Sequence, residues 1–94
     1  MKFKPKNLYI EIAKKGWKLP EFVDRMNQLQ EAIDPTVRPI TYNAIYVWNR
    51  GTAQPAQDKA YMICAVLGIH PKKLYEVEYN EDIYLKYLDI LFNL

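Results

Sequence analysis

The most informative segment of the sequence spans residues 40–51 and reads ITYNAIYVWNRG. Thr41 carries a short hydroxyl side chain that can accept a backbone N–H at the start of a helix. Gly51 can adopt the left-handed conformation that ends a helix. Three apolar residues between these signals share one helical face: Ala44, Ile45 and Trp48. The segment therefore predicts a short helix over residues 41–49 that buries one face.

Similar start and stop signals predict helices on both sides of this segment. Gly16 ends the first helix, Asp34 and Pro35 end the second, and Gly68 ends the fourth. Asn80 can cap the last helix. The predicted helices cover residues 7–15, 20–33, 41–49, 55–67, 71–76 and 81–94. Since no alternating strand pattern of useful length is present, the sequence predicts an all-α fold, a compact five- to six-helix bundle.

Length and composition indicate a single globular domain. The chain has 94 residues, and half of them are hydrophobic. No apolar run approaches the roughly 20 residues of a membrane-spanning helix, and no apolar signal core follows the basic residues Lys2, Lys4 and Lys6. Cys64 is the single cysteine, so neither an internal disulfide nor a thiolate zinc cluster is expected. These features predict a cytoplasmic protein without membrane, metal or cofactor.

The charges are distributed unevenly along the chain. Residues 1–73 carry 12 basic and 6 acidic side chains, whereas residues 74–94 carry 1 basic and 5 acidic side chains. A basic body suits a polyanionic partner such as nucleic acid. We therefore expect the acidic end to face away from such a partner.

Residues 40–51 resemble the recognition-helix segment of the repressor/Cro family, the XRE-like or Cro/C1-type helix-turn-helix domains. The residues that carry the resemblance are Thr41, Ala44, Ile45, Trp48 and Gly51, then Pro55, Ile63, Cys64, Leu67, Gly68, Ile69 and Leu74, with Gly16, Trp17, Glu21, Phe22 and Val23 upstream. The resemblance implies a lambda-repressor-like fold. It also implies a DNA-binding domain over residues 1–76 and a separate C-terminal helix over residues 77–94.

Two positions and one segment depart from the family pattern. Leu19 stands where the family has a glutamine that contacts phosphate, and Ile12 stands where it often has a basic residue. Residues 27–40 form an insertion of roughly a dozen residues in place of the tight turn. POU-specific domains look similar, because they also lengthen this connection. The fold that the resemblance implies therefore tolerates the insertion.

The resemblance places the opening turn of the third helix in the major groove of duplex DNA. Asn43 would bond the N6 and N7 atoms of adenine, and Val47 would touch a thymine methyl group. The implied base contacts are Tyr42, Asn43, Tyr46 and Val47. The implied phosphate contacts are Lys18, Thr41, Arg50, Thr52 and Arg38. The same residues also fit an ordinary helix surface or a protein interface.

The last predicted helix has a rich apolar stripe for which two interpretations stay open. It either covers the core or forms the interface of a homodimer that spans two DNA half-sites. The residues in question are Tyr84, Tyr87, Leu88 and Leu91.

The resemblance makes a sequence-specific transcription regulator, such as a repressor, the leading hypothesis. It also implies a source in a bacterium, phage or mobile element.

An alternative hypothesis is a protein-interaction module on the same scaffold, such as an antitoxin, an antirepressor or an inhibitor of another protein. It is favoured by the apolar residues Leu19 and Ile12 at positions where polar DNA contacts are expected. An enzyme is not expected, because the sequence shows no nucleophile and base set, no metal cluster and no glycine-rich phosphate loop.

Overall fold

The computed structural model describes Phe3, Lys4 and residues 6–75 and 79–94. Across these residues the chain forms five α-helices and no strand, as the predicted all-α class requires. The helices are α1 (Asn7–Lys14), α2 (Leu19–Ile33), α3 (Tyr42–Arg50), α4 (Gln57–Leu67) and α5 (Glu81–Phe92). A single antiparallel bridge joins Phe3 to Tyr75. None of the described helices is both long and apolar enough to cross a membrane.

Two predicted boundaries are wrong, and both involve proline. The fifth predicted helix, over residues 71–76, is one 3₁₀ turn, Pro71–Lys73, and Glu76 lies outside the described residues. α4 begins at Gln57 instead of Pro55, because Ala56 is extended with ψ at 154°. The preceding loop is tied elsewhere, since the side chain of Gln54 accepts the backbone N–H of Phe3 at 3.2 Å.

The core is organised around α4, which packs between α2 and α5. Every residue from Ala60 to Leu67 is buried. The surrounding elements contribute a set of large, fully buried side chains: Leu8, Phe22, Met26, Leu29, Ile45 and Leu74. Burying each of these side chains contributes about 1.5–3 kcal/mol relative to exposure, so the packing around α4 stabilises the fold.

α5 lies across the core with one side turned inward. The four residues named above for a cap or a dimer are all partly buried and packed against the core: Tyr84, Tyr87, Leu88 and Leu91. The hydroxyl of Tyr84 donates to the carbonyl of Ile69 at 2.8 Å. These side chains therefore cover the core, and a homodimer through α5 stays a prediction.

The segment between α2 and α3 is shorter than the predicted insertion suggests. Residues 27–33 continue α2 for two further turns, so only residues 34–41 form a loop. Ile40 is 8% exposed and anchors the loop to the core. The start of α3 is therefore fixed next to the body of the protein.

Candidate nucleic-acid interface

The start and end of α3 are formed by the two signals that the sequence predicts. The hydroxyl oxygen of Thr41 accepts the N–H of Ala44 at 3.2 Å, and Gly51 is left-handed with φ at 80°. Ile45 is fully buried and is the one residue of the helix in that class. Trp48, predicted to lie in the core, is only half-buried and packs against it. α3 is thus held by a narrow apolar edge.

The outer side of α3 carries the residues predicted to contact bases. Tyr42 is 52% exposed and Tyr46 is 45% exposed, Asn43 is also exposed, and Val47 is half-buried. Arg50 closes this surface, because its Nη1 donates to the hydroxyl of Tyr46 at 3.0 Å. We call the set Tyr42, Asn43, Tyr46, Val47 and Arg50 the α3 face. It offers two phenols, one amide and one guanidinium to solvent.

Asn49 fixes the far end of α3 to α1, a role that the sequence pattern does not reveal. Its side-chain Oδ1 accepts the N–H of Tyr9 at 3.0 Å, and its carbonyl accepts the N–H of Lys6 at 2.6 Å. Lys6 has φ at 69°, which is uncommon for a residue other than glycine. These bonds satisfy two N–H groups near the start of α1, which a helix leaves without internal partners. They link the end of α3 to the start of α1.

The loop before α3 is held by two amide side chains of α2, and the sequence pattern does not reveal this role either. Asn27 binds Ile40 twice, donating to its carbonyl at 3.2 Å and accepting its N–H at 2.7 Å. Gln30 is 4% exposed and donates to the carbonyl of Arg38 at 2.6 Å, while Lys59 donates to Gln30. We call these two amide side chains the clamp. Their signal in the sequence is a pair of amides one turn apart on the last part of α2.

The predicted phosphate contacts fall into two groups. Thr41, Arg50 and Thr52 lie on α3 or beside it, and the hydroxyl of Thr52 donates to the carbonyl of Val47 at 3.3 Å. Lys18 is the residue before α2, and Arg38 lies in the loop 34–41. All five side chains are exposed. Of the basic residues near the N-terminus, Lys2 lies outside the described residues, and Lys4 donates to the carbonyl of Lys72 at 2.7 Å.

An apolar groove of about 210 Å³ lies on the surface of α1 and the start of α2. Its lining, which we call the α1 groove, consists of Tyr9, Ile12, Ala13, Trp17 and Leu19. Arg25 stacks its guanidinium 4.3 Å from the centre of the Trp17 ring, and the Lys15 ammonium lies 5.9 Å from it. Ile12 and Leu19, the two departures from the family pattern, are thus brought together in one groove.

The two residues with the most reactive side chains have structural roles. Cys64 is fully buried, and burial raises the pKa of its thiol to about 12, so the nucleophilic thiolate is disfavoured. His70 accepts the N–H of Lys72 on Nδ1 at 3.2 Å and meets the hydroxyl of Tyr79 on Nε2 at 2.5 Å. Among the described residues, no cluster of His, Cys, Asp and Glu could hold a metal ion.

Comparison with protein-family models, with curated proteins and with solved structures finds no match to this chain.

Proposed function

We propose that the chain is a sequence-specific DNA-binding transcription regulator that inserts α3 into the major groove. The observation that supports this proposal best is that α3 is held firmly at both ends while the α3 face stays exposed to solvent. Asn43 lies in the first turn, where a recognition helix approaches base edges. Its amide can form the paired hydrogen bonds that distinguish adenine. The proposal includes the lambda-repressor-like arrangement that the resemblance implies.

The clamp on the loop 34–41 supports the same proposal. A helix that enters a groove must be held rigidly at both ends, since small shifts remove base-specific hydrogen bonds. Here Asn27 fixes the segment before α3 and Asn49 fixes its end. Both amides bind backbone groups. The side chains of the α3 face are therefore not needed to hold the helix in place.

The phosphate contacts are proposed at Lys18, Arg38, Thr41, Arg50 and Thr52. They would position the protein without reading sequence and would make binding strongly dependent on salt. Arg50 directly contacts one of the proposed base-contacting residues, because its guanidinium lies against Tyr46. Reversing its charge should weaken binding to all duplexes alike.

The proposal is tested by selecting bound duplexes from a random DNA pool, with the natural chain and with Asn43→Ala. We expect the natural chain to enrich a motif containing A·T pairs, and the variant to lose preference at one of its positions. Gln28→Ala, a change of an exposed amide on α2, is the matched control. Equal, weak binding to every duplex by the natural chain would contradict the proposal.

A second candidate function is favoured by the α1 groove. Apolar side chains occupy two positions where the family has polar contacts to DNA, which suits a protein partner better than a phosphate backbone. Charge reversal at Arg50 and Lys18 separates the two functions. DNA binding should collapse in both variants, whereas an apolar contact in the α1 groove should survive Arg50→Glu.

A further inference from the structure

α5 has an outward side that the core does not use. Five of its exposed residues follow one another at helical spacing and form what we call the α5 outer face, with the exposed Lys86 at its edge: Glu81, Asp82, Leu85, Asp89 and Phe92. Leu85 is 51% exposed and Phe92 is 85% exposed, the largest value among the exposed large hydrophobic residues. The face therefore combines two apolar side chains with three carboxylates.

The α1 groove has the opposite character at its edge. Arg25 and Lys15 lie over the ring of Trp17, and Lys18 stands between two lining residues in the chain. The lining itself is apolar, and its volume of about 210 Å³ accommodates one large side chain. The groove is thus apolar inside and basic at the rim, whereas the α5 outer face is apolar at its centre and acidic around it.

From this complementarity we infer that the α5 outer face of one copy docks in the α1 groove of a second copy, with Phe92 inserted beside Trp17. Phe92 would exchange water for an aromatic and aliphatic lining. The carboxylate of Asp89 would meet the cations around Trp17. This self-association goes beyond DNA binding and does not depend on it.

The alternative pairing of two α5 outer faces is disfavoured by charge. Each face carries three carboxylates against the single ammonium of Lys86 nearby. Bringing two such faces together would place like charges opposite one another. Docking in the α1 groove instead pairs acidic with basic side chains. Such a contact joins unlike surfaces, so it closes into a symmetric pair only when both copies engage each other at once.

Sedimentation of the full chain from about 1 µM to about 1 mM measures this association. Phe92→Asp and Arg25→Glu each change an exposed side chain, one on either surface. We expect each variant to lower the association constant about tenfold or more, the loss typical of a central contact residue. Val37→Asp, which adds the same charge at another exposed apolar residue, should leave association unchanged.

Mixing the two variants identifies the surfaces that meet. Arg25→Glu keeps an intact α5 outer face and Phe92→Asp keeps an intact groove, so the mixture should form more complex than either variant alone. Raising the salt concentration should weaken the natural association. A natural chain that stays monomeric over the whole range would overturn the inference. So would natural-strength association by Arg25→Glu alone, which would indicate pairing of two α5 outer faces.

Discussion

α4 and α3 are consecutive helices of similar length, 11 and 9 residues, but their surroundings differ sharply. After its first turn α4 is enclosed, with an unbroken run of buried residues from Ala60 to Leu67. α3 buries Ile45 and exposes two tyrosines and an asparagine. The residues of α4 are explained by packing alone. The α3 face is not, and this difference is the reason to seek a partner there.

We expect the greatest loss of stability from a substitution in α4 and almost none from a substitution on the α3 face. Ile63→Ala removes a fully buried side chain from α4 and should lower the free energy of unfolding by about 2–5 kcal/mol. Tyr46→Ala, on the α3 face, should change it by no more than about 0.5 kcal/mol. Urea denaturation followed by circular dichroism measures both. Equal losses would mean that the α3 face contributes to the fold as α4 does.

The clamp before α3 should have an intermediate effect. Asn27→Ala removes both hydrogen bonds to Ile40 and leaves two backbone groups without their partner, which should cost about 1–3 kcal/mol of unfolding free energy. Gln28→Ala, the exposed neighbour, is the control. If both variants unfold at the same urea concentration, Asn27 does not stabilise the loop 34–41, and Ile40 and Gln30 hold it without that side chain.

The smallest expected effect has the opposite sign. The hydroxyl of Tyr75 is buried and has no hydrogen-bond partner among the described residues. Tyr75→Phe should therefore raise the free energy of unfolding by roughly 1 kcal/mol, since an unsatisfied polar group is removed. Tyr42→Phe, at an exposed position, should leave stability unchanged. A loss of stability in Tyr75→Phe would mean that its hydroxyl has a stabilising partner.

Tyr75 also gives the stability an alkaline limit. Burial, and to a lesser extent the neighbouring Cys64, raises the pKa of Tyr75 above the ordinary value of 10.0. The unfolded chain therefore releases this proton first, so the stabilising difference is present below about pH 10 and is lost as the pH rises further. Unfolding measured from neutral to alkaline pH should show a shallower loss of stability in Tyr75→Phe than in the natural chain.

The sequence predicts those features of the fold that depend on local signals. Thr41 and Gly51 delimit α3 as expected, Asn80 caps α5 by accepting the N–H of Ile83, and Asp34 follows the last residue of α2. Each of these signals acts within a few residues of the chain. The apolar periodicity of α4 likewise predicts burial, because its stripe is continuous.

The features that the sequence does not predict join distant residues. Asn49 binds Tyr9 across 40 positions, and Tyr61 accepts the N–H of Asn80 across 19. An asparagine or tyrosine in a helix gives no sign of such a partner. The loop before α4 carries another such contact, since Gln54 binds Phe3 across 51 positions. The α1 groove is equally hidden, because Ile12 and Leu19 belong to different helices.

We propose that the α3 face is the surface that meets duplex DNA. The most direct measurement is a titration of the isotope-labelled chain with a mixed-sequence duplex at low salt, followed by amide NMR spectra. We predict that the largest shifts fall on Tyr42, Asn43 and Tyr46, with smaller shifts at Lys18 and Arg38. Shifts confined to Tyr9, Trp17 and Leu19, or no shift at any amide, would contradict the account.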